Sequence, residues 1–160
     1  MTTMTNQLSR KEIADGLKKA AVGYWVKLGY GCNLELGLSS WGKHKADLIA
    51  INRRGQIVVA EIKSCHSDFS TDSKWTSYLQ FCDKFYLVFT EKHWEQRKYE
   101  LPDRVGVMVL GKLGKLVCVK RAKEVRISGK QRKDLVLRIA WRNATFSARN
   151  TKQYRVYLET

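Results

Sequence analysis

The apolar runs 48–51 and 57–60 flank Asn52-Arg53-Arg54-Gly55-Gln56, and no other stretch limits the fold so tightly. Residues 53–55 read as a three-residue hairpin loop in which Gly55 supplies the left-handed conformation at the bulge. Such a loop fixes a register. Pairing Asn52 with Gln56 sets Ile51 opposite Ile57, Ile49 opposite Val59 and Asp47 opposite Glu61. By the two-residue period of strands, Asp47, Ile49, Ile51, Ile57, Val59, Glu61 and Lys63 share one face, and Leu48, Ala50, Val58, Ala60 and Ile62 the other. Both faces are apolar, so this is a central hairpin.

Charges in such a setting need a task. Two carboxylates on directly opposed positions have Cβ atoms about 5 Å apart and repel unless a cation lies between them. A divalent metal resolves the conflict, with Lys63 as the neighbouring cation. Mg²⁺ takes hard oxygen ligands and keeps several waters, so Asp47, Glu61 and the backbone carbonyl of Ile62 leave room for a phosphate oxygen and an attacking water. Lys63 can then orient that water or neutralise charge developing on phosphorus. The arrangement suits phosphodiester hydrolysis. The competing reading is a salt-bridged Asp47/Glu61/Lys63 cluster at a sheet edge; apolar neighbours on both faces favour the metal.

Asp47, Glu61 and Lys63, with Ala46 before the aspartate, resemble the core signature of the PD-(D/E)XK nuclease superfamily. The continuation Ala60-Glu61-Ile62-Lys63-Ser64, Ser67-Asp68-Phe69, Asp72-Ser73-Lys74-Trp75 and Tyr78-Leu79-Gln80-Phe81-Cys82-Asp83 is similar to the MmcB-like family of DNA-repair endonucleases. Leu101-Pro102-Asp103-Arg104-Val105-Gly106 and a basic helix from Gln131 extend the likeness over most of the chain from about Gly29. The resemblance implies an α/β fold of restriction-endonuclease type, a mixed sheet flanked by helices. It also implies a requirement for Mg²⁺, for which Mn²⁺ can substitute, and DNA as substrate. Glu35 is similar to an acidic residue that MmcB-like chains carry here, which makes it either a third metal ligand and catalytic residue or an ordinary exposed glutamate. Lys74 and Tyr78 resemble the Gln-x-x-x-Tyr element of RecB-like members with Lys in place of Gln, so a phosphate contact by Lys74 stands beside a solvated Lys and a partly buried Tyr.

At 160 residues and 44% hydrophobic, the chain is long enough for one domain, 1–160, with a single core. A net charge of +15 points to a polyanion, without separating DNA from RNA or an anionic membrane. Residues 1–7 lack a hydrophobic run and no segment reaches membrane-spanning length, so the expectation is a cytoplasmic protein, at the nucleoid when bound to DNA. Cys32, Cys65, Cys82 and Cys118 contain no CxxC pair and read as buried reduced thiols.

Ser9-Arg10-Lys11-Glu12 is a capping box opening a helix with Ile13, Leu17, Ala20, Tyr24 and Leu28 on one face. Leu34, Leu36 and Leu38 alternate as a first strand, with Glu35 on the opposite face. Thr71 or Asp72 can cap a helix running through Cys82, with Trp75, Leu79 and Cys82 as its apolar stripe. Residues 85–90 read as a strand, 91–100 as a polar loop or short helix, and 105–110 with 115–120 as a second hairpin. From Lys112 onward, fourteen Lys or Arg residues face only Glu124, Asp134 and Glu159. On a helix over 131–148, Leu135, Ile139 and Phe146 can pack inward while Arg132, Arg138, Arg142 and Arg149 project. With Lys43-His44-Lys45 entering the catalytic strand, this favours a phosphate-tracking groove over a merely solvated face. His44 and His66 read as loop residues, and the five tryptophans as core or groove rim.

The resulting expectation is a metal-dependent DNA nuclease of repair or recombination, an endonuclease rather than an exonuclease. The alternatives are a non-catalytic accessory protein of the same fold that binds DNA and, more weakly, an RNA-binding module. A homodimer and contacts with repair or recombination proteins are compatible with the sequence, which does not specify them.

Overall fold

A computed structural model describes residues 8–40, 42–65, 73–96 and 100–150. Its strands are β1 (Tyr30–Gly37), β2 (Lys45–Asn52), β3 (Ile57–Lys63), β4 (Lys84–Thr90), β5 (Val105–Leu110) and β6 (Leu116–Lys120). They form one six-stranded open sheet in chain order. β1, β2 and β3 pair antiparallel, β3, β4 and β5 pair parallel, and β6 returns antiparallel to β5. Helix α1 (Arg10–Lys27) precedes the sheet, a 3₁₀ helix (Ser73–Phe81) links β3 to β4, α2 (Glu91–Glu95) follows β4, and α3 (Gly129–Asn150) closes the described chain.

The β2–β3 hairpin has the register expected of its loop. Asn52 N–H donates to the Gln56 carbonyl at 3.2 Å, Gly55 has a φ of 75°, and the ladder runs from Ile51↔Ile57 to Leu48↔Ala60. All seven residues of β3 are buried, as a central strand requires. On one face, Leu48, Ala50, Val58, Ala60 and Ile62 meet α1; on the other, Ile49, Ile57 and Val59 join Phe85, Leu87 and the α3 residues Leu135 and Ile139.

The capping box of α1 forms, with Ser9 Oγ accepting from Glu12 N–H and the Glu12 carboxylate accepting from Ser9 N–H. The buried line is Leu17, Ala21 and Trp25, with Ile13, Ala20 and Tyr24 at its edge, whereas Leu28 is exposed. The stripe is therefore rotated from the expected one. Gly106 is dictated by packing: a Cβ there would stand 2.3 Å from the Tyr86 ring.

Three further expectations change. The segment before β4 is a 3₁₀ helix ending at Phe81, and the Thr71 or Asp72 cap lies outside the described residues, as do Trp41, His66 and Ser67-Asp68-Phe69. Its three-residue turn sets Trp75, Tyr78 and Phe81 in line, and the first two stack on Phe85 with centroids 6.1 and 6.2 Å away. Phe146 does not pack inward, because α3 runs past the sheet after Ile139 and leaves Phe146 and Trp141 exposed. Arg132 does not project to solvent. Its guanidinium makes two bonds to Asp83, at 2.7 and 2.8 Å, and a third to the Gly55 carbonyl.

Candidate active site

The ladder between β2 and β3 ends at Leu48↔Ala60, and the next position is where the two carboxylates stand. Glu61 Oε1 accepts from Asp47 N–H at 3.0 Å, and Asp47 Oδ2 accepts from Ile62 N–H at 2.8 Å. Each acid thus takes a backbone donor from the other strand, which positions both groups where the strands part. Repulsion between opposed carboxylates is moderated by these N–H groups rather than left bare. Glu61 and Lys63 are 8% and 4% exposed, and charged groups are seldom buried so far without partners. Burial pushes the Asp47 carboxyl above its ordinary range; the Ile62 N–H and the charges of Lys18 and Lys63 oppose that shift, while Glu35 adds to it.

Beside this pair, β1 is irregular. Leu34↔Leu48 and Leu36↔Ala46 are paired, but the rung between them is missing, and Glu35 sits there with a φ of 54°. A left-handed non-glycine residue costs on the order of 1–3 kcal/mol. The break also changes the face. Leu34 joins the α1 side of the core whereas Leu36 and Leu38 join the α3 side, so the three leucines do not alternate on a single face as expected. The Glu35 carboxylate is held between Lys18 of α1 and Lys45 at the start of β2, the latter at 2.8 Å. These two cations, Lys18 before Lys45, hold its pKa below the usual carboxylate range. Partly exposed ion pairs contribute about 0–1 kcal/mol each, so they offset the strain only in part.

Among the described residues, no group of three or more His, Cys, Asp and Glu side chains is placed to hold a metal ion. The acidic donors at the strand break are Asp47 and Glu61, with Ile62 between Glu61 and Lys63 on β3. Of the expected nucleic-acid contacts, Lys43 and Lys45 are exposed on and beside the β1–β2 loop. His44 is half-buried against Tyr78 and Phe81, with ring centroids 5.8 and 5.4 Å away. Tyr78 Oη donates to the Lys45 carbonyl at 3.1 Å, tying the 3₁₀ helix to β2. The Lys74 side chain lies outside the described residues. Arg138 reaches the same loop, donating to Ser40 Oγ at 2.8 Å, and Arg142 lies one turn further along α3.

Sequence reasoning missed Lys18 and Asp83. Lys18 looks like one of many basic residues on an exposed helix, and only the fold brings it to Glu35. Asp83 is 2% exposed and accepts from Ile57 N–H, Ile127 N–H and Arg132. Its one signal is an acid set between Cys82 and the strand that Lys84 begins.

The chain belongs to the MmcB-like DNA repair protein family, which matches residues 2–153. Its fold is similar to that of a protein of unknown function from Silicibacter pomeroyi, at 22% identity and a TM-score of 0.73, over 90% of this chain and 94% of that one. No curated protein matches the chain. Among the described residues, no helix is long and apolar enough to cross a membrane.

Proposed function

We propose that this member of a DNA repair family is a metal-dependent DNA nuclease of repair or recombination. The observation that carries the reading is the reciprocal bonding of Asp47 and Glu61 to each other's strand, with buried Lys63 two residues beyond. A divalent ion fits this donor set. Two carboxylates at a strand break, one with its pKa raised by burial, form the hard-oxygen site in which Mg²⁺ or Mn²⁺ relieves an existing electrostatic conflict. Asp47, Glu61 and the Ile62 carbonyl would hold the ion, which when bound supplies Lewis-acid charge at a phosphate oxygen and a more acidic water.

The chain's own residues do the rest. The N–H groups of Asp47 and Ile62 pin the two carboxylates. Lys63 orients the attacking water or offsets negative charge growing at phosphorus. Lys43, Lys45, Arg138 and Arg142 supply charge along which a DNA backbone can lie. One observation favours a second reading, a DNA-binding accessory protein without cleavage: among the described residues, two acidic side chains, Asp47 and Glu61, meet at the strand break. Single-stranded, duplex, flapped and branched DNA and RNA, incubated with Mg²⁺, Mn²⁺ or EDTA, separate the two. Cleavage of DNA abolished by EDTA is the expected result, and no cleavage of any substrate leaves the accessory reading.

A further inference from the structure

Glu35 is a strained residue whose ion pairs do not by themselves account for its conformation. An extended glutamate could remain solvated on the strand; this one bends the backbone out of the ladder and brings together lysines from two different elements. We propose that Lys18 and Lys45 form a two-lysine clamp for a backbone phosphate of DNA, with Glu35 as the strut that holds them beside Asp47 and Glu61. The inference rests on DNA being the ligand of the proposed function, but not on its being cleaved.

The chemistry follows from the donors. An ammonium carries three N–H groups, and one carboxylate oxygen engages each lysine, so both keep donors for a further anion. Two cations against one carboxylate leave a net positive charge. Lys45 is 60% exposed at its side chain and Lys18 is 23% exposed, so the clamp opens toward solvent. Lys45 lies two residues before Asp47 on β2, and the break at Glu35, between Leu34↔Leu48 and Leu36↔Ala46, falls opposite Asp47. A phosphate held there sits next to the acidic pair. In this arrangement Glu35 is a positioning residue. To serve as a third metal ligand it would have to share an oxygen that already accepts from a lysine.

The test measures duplex DNA affinity against salt in EDTA, where neither metal nor cleavage intervenes. Each lost phosphate contact lowers the slope of log affinity against log salt by about 0.9. Lys18→Gln/Lys45→Gln, which removes that one contact, should therefore lower the slope by about 0.9, and Lys45→Gln alone should lower it by part of that amount. Exposed Lys45 is replaceable without loss of folding, so the single variant keeps the test informative if the double variant fails to fold. Calorimetry of Mg²⁺ binding without DNA should give Glu35→Gln the affinity of wild type. Unchanged slopes in the lysine variants overturn the clamp, and so does a tenfold loss of Mg²⁺ affinity in Glu35→Gln. Expected slopes in a protein that cleaves nothing keep the clamp and remove the nuclease; a wild type that binds no duplex removes the clamp.

Discussion

Replacing Asp83 with Asn tests whether one buried acid holds the α3 side of the protein together. The carboxylate accepts from Ile57 N–H at 2.8 Å, from Ile127 N–H at 3.1 Å, and twice from Arg132. It therefore joins the start of β3, the segment leading to α3, and α3 itself. Asn keeps the shape but presents an NH₂ group to two of these donors and removes the counter-charge of Arg132. Removing one partner of a buried ion pair costs about 3–5 kcal/mol. Arg132 is 27% exposed and keeps part of its hydration, which points to the lower end, about 3 kcal/mol. For a domain of this size that is a fall in Tm of about 6–12 °C.

The pH dependence has a definite sign. Burial alone raises the Asp83 carboxyl, but Arg132 and the two backbone N–H groups outweigh it, and the net pKa lies below the ordinary 3.8. A depressed acid contributes its stability above the unfolded value and loses it as pH falls toward the folded one. The gap between wild type and Asp83→Asn should be full at neutral pH and narrow below 3.8. Melting curves and urea titrations at pH 7 and pH 3 measure it. A variant melting within about 2 °C of wild type at pH 7, well under the fall expected of a broken buried pair, would refute the reasoning.

The parts of this fold that were legible in the sequence are those set by neighbours in the chain. The Arg53-Arg54-Gly55 loop determines its register through local turn geometry, and Ser9 with Glu12 caps α1 through groups three residues apart. The Asp47–Glu61 meeting follows from that register. What was not legible depends on distant groups. Glu35 among alternating leucines gives no sign that Lys18, seventeen residues earlier in the middle of α1, will hold it in a left-handed conformation. Arg132 looks like any basic residue on an amphipathic helix until Asp83 is seen beneath it. Phe146 shares a helical face with Leu135 and Ile139, and periodicity cannot say where the sheet beneath that face ends.

Gly106→Ala should drive a methyl group into the Tyr86 ring at 2.3 Å and toward the Ala122 N–H at 2.8 Å, lowering the urea midpoint by the equivalent of about 2–3 kcal/mol. Lys63→Ala should bind DNA nearly as wild type does, because many other cations supply the attraction, yet lose on the order of a hundredfold in single-turnover cleavage; equal rates would remove Lys63 from the chemistry. Asp47→Asn separates metal binding from stability. Because burial raises the Asp47 carboxyl, the folded state favours the protonated acid, and stability falls as pH rises from 3.8 through the raised value. The neutral amide escapes that cost while its oxygen still accepts from Ile62 N–H, so in EDTA at pH 7 the variant should melt above wild type. Mg²⁺ should reverse the order: an ion at a hundred times its Kd stabilises wild type by about 2.7 kcal/mol, whereas Asp47→Asn, having lost a ligand, should gain little. A lower melting temperature in EDTA would show that Asp47 is not a destabilised carboxylate, and the same rise with Mg²⁺ in both proteins would show that it is not a metal ligand.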